Sequence, residues 1–222
     1  MFILELVLSM LTPFECLSCG REGGLVCSWC EPDFCSPLPS RCFMCRRISQ
    51  QSAVCQKCRP KTPLRHVWVA AELSGNAQKL LHLFKFERAQ SASREIGRFI
   101  YYALPFSDEV LLVPVPPATT RLRQRGYDHT KLLAREVSKA TGLPYKQALS
   151  KLGQSRQVGM KREVRLKQLN GAFRVSRTDD VKDKAIWLVD DVVTTGATLS
   201  EAARALRRSG AKSVDAVVFA QK

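Results

Sequence analysis

The chain has 222 residues, 45% of them hydrophobic, enough to bury a sizeable core in one α/β domain with a small unit attached. Its formal net charge of +15 points to anionic partners and is localised: 41–65 holds seven basic residues and no acid, 121–135 five and one, 151–177 eight and one. The first eleven residues are mostly apolar but too few to span a bilayer, and Glu5 interrupts them. With no basic leader and no small-residue cleavage site before Pro13, they are expected to form a short helix on a cytoplasmic protein, with no membrane span.

Eight of the nine cysteines fall in C-x-x-C pairs: Cys16/Cys19, Cys27/Cys30, Cys42/Cys45 and Cys55/Cys58. Two thiolates separated by two residues in a tight knuckle aim at one point, as tetrahedral zinc requires, so four knuckles make two four-thiolate structural sites. The simplest grouping is sequential; an interleaved cross-brace stays open. Disulfides would need an oxidising compartment, and a redox C-x-x-C would stand singly beside a βαβ pattern. Cys35 is left as a small core or surface residue. The zinc module with its leading helix is expected over 1–62, and a second domain over 63–222, the boundary falling near Pro60 and Pro63.

Beyond the boundary a strand is expected over 67–73 and helices over 76–87 and 91–104. In the first helix Leu80, Leu81, Phe84 and Phe86 supply the apolar stripe, with Lys79 and Lys85 elsewhere. His82 reads as a surface residue, and His66 and His129 are isolated, so no histidine metal site is expected. The apolar run 110–115 is the next strand, stopped by Pro114, Pro116 and Pro117. Arg121, Arg123, Arg125 and Gly126 then form a basic loop, a natural pyrophosphate site, ahead of a helix over 128–141 with Gly142 as its stop.

The run 185–189 reads as a buried parallel strand, and it leads directly into Asp190 and Asp191. Side chains at the carboxyl end of such a strand face the crevice where open α/β sheets bind ligands. The small-residue loop Thr194, Thr195, Gly196, Ala197 and Thr198 precedes a helix over 199–208 that ends at Ser209-Gly210. Amides in that loop and the helix N-terminus behind it suit a phosphate, while the two carboxylates can accept hydrogen bonds from vicinal ribose hydroxyls. The pattern predicts a ribose 5-phosphate moiety as ligand.

The stretch 186–199 resembles the phosphoribosyl-pyrophosphate (PRPP) loop of type I phosphoribosyltransferases: an apolar strand, an acid pair, two apolar residues, then Thr-Thr-Gly-x-Thr. Together with the knuckles, Val113-Pro114-Val115-Pro116, Arg125-Gly126-Tyr127-Asp128-His129 and the segment 157–173, it makes the chain similar to ComF-type competence proteins and their GntX-like relatives. That family usually has Arg-Gly-Phe-Asn-Gln at 125–129 and Arg-x-x-Asn at 165–168, where this chain has Gln168; the acid at 128 would stand near the pyrophosphate. The resemblance implies an α/β fold of the type I phosphoribosyltransferase kind, a parallel sheet flanked by helices behind an amino-terminal Cys-rich zinc module.

For function it implies Asp190 and Asp191 on the ribose, residues 194–198 on the 5′-phosphate, and magnesium travelling with PRPP. It also implies a part in DNA uptake during natural transformation, handling incoming single-stranded DNA beside a competence helicase. Phe43, Trp68 and Tyr127 are candidate stacking faces for that strand. The alternative is an active phosphoribosyltransferase that moves ribose 5-phosphate from PRPP to a nitrogenous base, with the 151–177 segment as a closing flap.

Overall fold

The computed structural model describes residues 14–35, 38–87, 89–152 and 171–222. The helix expected within 1–11 and the middle of the flap, with Gln157, Arg165 and Gln168, lie outside the described residues. The strands in chain order are β1 (Val67–Glu72), β2 (Val110–Pro114), β3 (Leu149–Lys151), β4 (Phe173–Val175), β5 (Ala185–Val193) and β6 (Ser213–Gln221). Four of them form a parallel sheet in the order β1-β6-β5-β2, and β3 pairs with β4 as a separate antiparallel stem. The helices are α1 (Glu31–Phe34), α2 (Gly75–Phe86), α3 (Ala89–Ala103), α4 (Thr119–Arg125), α5 (His129–Thr141) and α6 (Ala197–Arg208).

The run of apolar residues in β5 follows from its place between β6 and β2, where both faces are covered. Successive side chains enter opposite layers: Ile186 and Leu188 join one core, Trp187 and Val189 the other. On the first face the core continues into α6 through Leu199, Ala202 and Leu206, and into the second cysteine unit through Phe43, Val54 and Leu64. On the second face it continues into α2, α3 and α5, with Phe34 of the first cysteine unit against Phe99 at 6.3 Å between ring centroids. The cysteine units thus lie on opposite faces of one sheet, each completing a layer that helices alone leave open.

Close packing of α3 on α5 depends on Gly97, where a Cβ would stand 2.8 Å from Glu136 Cβ. The start of α5 is fixed by Asp128, whose Oδ1 accepts from the Lys131 amide at 3.0 Å, and Gly142 ends it in a left-handed conformation. The acid at 128 is therefore a helix cap, with Thr130 Oγ1 lying 2.8 Å from the same oxygen.

Three sequence expectations are corrected. The strand expected to stop at 189 runs on to Val193, because Asp190 pairs with Val218 and Val192 with Ala220 in the β6 ladder. The basic segment expected as a loop forms the helix α4; Thr119–Arg125 contains neither Gly nor Pro, and its Leu, Gln and Arg residues favour helix. Phe86 leaves the stripe and is 62% exposed, whereas Leu80, Leu81 and Phe84 are buried as expected.

Candidate functional site

β5 carries the acid pair near its carboxyl end, and five residues after Asp191, Gly196 turns the chain into α6 with φ of 72°. Thr194 and Thr195 are exposed in that turn, Ala197 and Thr198 half-buried, and Gly196 is buried. Thr195 Oγ1 accepts weakly from the Ala197 amide at 3.4 Å, and the 12-residue α6 points its amino terminus at the turn. Such a terminus attracts an anion through its unpaired amides and the partial positive charge of the helix.

Asp191 is 6% exposed, and its Oδ2 lies 2.7 Å from Lys85 Nζ and 3.2 Å from His129 Nε2. Lys85 comes from the last turn of α2 and His129 from the first residue of α5, so three elements converge on one carboxylate. Burial alone would raise the Asp191 carboxyl, but the His129 hydrogen bond and the Lys85 charge outweigh it and hold it at about 2. Its neighbour behaves oppositely. Burial first, and then the Asp191 charge, push the Asp190 carboxyl well above the carboxylate range, although its Oδ1 accepts from the Asp191 amide at 2.9 Å. The pair is one fixed anion beside a carboxyl that holds its proton readily. Both oxygens can accept from ribose hydroxyls, and a protonated Asp190 can also donate.

Sequence reasoning had assigned neither Lys85 nor His129 to this site. Lys85 sits four residues after buried Leu81, so helical spacing already put it at the border of the apolar stripe. His129 follows the capping Asp128, and only the packing of α5 against the end of β2, where Thr130 Oγ1 donates to Val115 O at 2.7 Å, brings its ring to β5.

The segment α4 follows β2 at the same sheet edge, where the Val115 amide donates to Val189 O at 3.0 Å. Arg123 is exposed on it and Gly126 forms its left-handed cap; the side chains of Arg121 and Arg125 lie outside the described residues. The stem of β3 and β4 carries Lys151 and Arg174 at the root of the flap. Of the proposed stacking faces, Phe43 is excluded because it is 2% exposed. Trp68 is half-buried between His66 and Trp187, and Tyr127 donates its hydroxyl to Phe84 O at 2.6 Å.

The cysteines group sequentially. Cys16, Cys19, Cys27 and Cys30 form one cluster and Cys42, Cys45, Cys55 and Cys58 the other, with the four sulfurs of each within 4.8 Å of one another. Cys19 and Cys27 Sγ are 3.7 Å apart, Cys45 and Cys55 Sγ 3.5 Å, close to the roughly 3.8 Å edge of a zinc tetrahedron with about 2.3 Å bonds. The leading knuckles repeat one design: the Cys16 and Cys42 amides donate to Arg21 O and Arg47 O, and each carbonyl accepts from the residue four positions on, Gly20 or Arg46.

The thiols point the same way. Burial opposes ionisation of Cys16, but the amides of Cys19, Cys27 and Ser18 bring it down to about 6; burial likewise opposes that of Cys42, which amides of Cys55, Cys45 and Met44 bring down to about 7. Burial and the neighbouring thiols push Cys58 up to about 12. Four sulfurs this close need a cation before all can be thiolates, and both clusters could hold zinc. Cys35 stands apart, donating to Ala70 O at 3.0 Å, with burial raising its thiol to about 11.

Residues 127–222 match the family described as phosphoribosyl transferase domain, which takes in α5, the flap stem, β5, the turn at Gly196 and β6. With its parallel sheet and a central strand that carries the acid pair near its carboxyl end, this is a type I phosphoribosyltransferase domain. Competence protein F of Haemophilus influenzae is 28% identical over 145 residues, covering 61% of this chain and 63% of that protein. DNA utilization protein YhgH of Salmonella typhi is 26% identical over 175 residues, 73% of this chain and 75% of that one. These relatives and the domain match support a phosphoribosyltransferase domain of the ComF kind in this chain. A ribose-phosphate pyrophosphokinase of Methanopyrus kandleri is 32% identical over 163 residues, 68% of this chain and 47% of that enzyme. The chain thus spans a little under two thirds of the Haemophilus protein. Among the described residues no helix is long and apolar enough to cross a membrane.

Proposed function

We propose that this protein binds PRPP, or a related phosphoribosyl ligand, at the carboxyl edge of β5 and serves DNA uptake by handling incoming single-stranded DNA in the cytoplasm. The observation that carries the ligand is the acid pair held just ahead of the Gly196 turn, with Asp191 fixed by Lys85 and His129. Asp190 and Asp191 hold the ribose hydroxyls, and the amides of 194–198 hold the 5′-phosphate. Magnesium arrives with the ligand, and the segment of Arg121, Arg123, Arg125 and Gly126 is assigned to its pyrophosphate. Zinc in both cysteine clusters is structural, held by thiolates alone with no position left for a substrate. The cysteine module is read as 1–62 and the phosphoribosyltransferase-like domain as 63–222.

The uptake reading draws on the names of the Haemophilus and Salmonella relatives and on the basic stretch 41–65, whose seven Lys and Arg residues are all exposed. A competence helicase is the natural neighbour for a protein holding such a strand. The alternative, transfer of ribose 5-phosphate from PRPP to a nitrogenous base, uses the same pocket, but no described residue is placed as a base for an acceptor. Titration with PRPP and magnesium, and separately with a single-stranded oligonucleotide at two salt concentrations, tests the reading. Binding of both, with DNA affinity falling steeply in salt, supports it. Absent or salt-insensitive DNA binding, together with nucleotide formation from PRPP and a free base, would favour the alternative.

A further inference from the structure

Phe43 lies between two ligands of the second cysteine cluster, and its ring is the wall behind Gly196: a Cβ there would stand 2.0 Å from Phe43 Cε2 and 2.9 Å from Cδ2. No side chain fits between them, so the backbone that turns β5 into α6 rests on that ring. The knuckle carrying Phe43 is itself tied to the sheet edge. Gln221 Nε2 donates to Phe43 O at 2.8 Å, the Arg46 guanidinium donates to Lys222 O, and the Lys222 amide donates to Val193 O at 3.2 Å, just before the turn. The chain leaving the cluster follows α6: Thr62 Oγ1 and Ser200 Oγ are 2.8 Å apart and buried, and Arg204 Nη2 donates to Lys61 O at 2.7 Å. The first cluster sits on the other sheet face, beside α2 and α3.

We propose that Phe43 is a positioning residue for the anion-binding turn, so that the second cysteine cluster, and not the first, sets affinity for the phosphoribosyl ligand. The proposal rests on the phosphoribosyl reading of the site. An amide-lined turn binds an anion well when its amides already converge, and behind Gly196 the three nearest atoms all belong to the Phe43 ring. Cys42 and Cys45 flank Phe43 in the chain, so gathering their sulfurs into one cluster fixes the backbone that carries the ring. Coupling of this kind is reciprocal: a ligand that prefers the ordered turn also favours the ordered cluster, and so slows loss of its metal.

The test compares Phe43→Ala with Phe34→Ala, a core deletion of equal size beside the first cluster, and adds Phe43→Leu, which keeps most of the apolar volume. Each purified protein is assayed for bound zinc, for PRPP–magnesium affinity by calorimetry, and for amide hydrogen exchange over 194–199. Metal loss to a chelator with and without PRPP is followed by alkylation mapping of the two cysteine sets. Phe43→Ala, or Phe43→Leu if the alanine variant does not fold, should keep its zinc, bind PRPP about tenfold or more weakly, and exchange faster over 194–199. Phe34→Ala should melt lower with affinity and exchange in that turn unchanged, and PRPP should protect Cys42, Cys45, Cys55 and Cys58 selectively. Equal affinity and equal turn exchange in the Phe43 and Phe34 variants would overturn the proposal. If wild type does not bind PRPP, the phosphoribosyl reading fails, and exchange over 194–199 alone then decides whether Phe43 positions the turn.

Discussion

Lys85 Nζ, at the end of α2, stands 2.7 Å from Asp191 Oδ2 on β5, so a helix on one face of the sheet supplies the cation that keeps the sheet's central acid ionised. His129 approaches the same oxygen from α5 at 3.2 Å. The acid pair is thus part of the packing between the sheet and two helices as well as part of the ligand edge.

Replacing Lys85 by Met should therefore cost stability as well as affinity. The substitution keeps the apolar stem but leaves a nearly buried carboxylate with one cation fewer, a loss of about 1–3 kcal/mol. Chemical denaturation of the variant measures it. A midpoint equal to that of wild type would show that His129 alone satisfies Asp191.

Stability should also depend on pH in two opposite steps. The Asp191 carboxyl is held at about 2 against an ordinary 3.8, so its contribution is fully present above pH 4 and is lost as pH falls from about 4 towards 2. Asp190 is raised, so its contribution is present below the ordinary value and is lost as pH climbs through its native pKa. Asp190→Asn should remove the second step and keep the first. Urea unfolding between pH 2.5 and 8 reads both, and a variant with the wild-type profile throughout would contradict the assignment.

Two glycines should tolerate no side chain. Gly97→Ala drives a methyl into Glu136 where α3 meets α5 and should lower stability by about 1–3 kcal/mol with PRPP affinity unchanged. Gly196→Ala meets the Phe43 ring in a left-handed conformation and should lose both stability and affinity. Thermal melting with PRPP titration separates them; a Gly196→Ala protein that bound normally would show that the turn is not pressed against Phe43.

Much of this was legible in the sequence, because the features concerned are local. The knuckle spacing, the apolar run into the acid pair, the small-residue turn and the glycine after α6 each depend on neighbours a few residues away, and they reappear in the sulfur clusters, β5 and the Gly196 turn. What the sequence concealed depends on distant contacts. Lys85 stands off the apolar stripe by spacing alone and reaches Asp191 only because α2 packs beside β5, and Phe43 is denied to stacking only because the second cysteine unit fills the sheet face next to α6. The basic run before Gly126 reads as a loop when its arginines are weighed for a ligand, although its residues favour helix. Knuckle grouping needed the sulfur positions themselves.

The most direct measurement is the affinity of PRPP with magnesium for wild type and for Asp190→Asn, by calorimetry at pH 7.5, each shown to be folded by circular dichroism. The account predicts saturable one-site binding to wild type and about 2- to 10-fold weaker binding to the variant, the equivalent of a neutral hydrogen bond of about 0.5–1.5 kcal/mol. Absence of binding to wild type, or equal affinity in the two proteins, would contradict it.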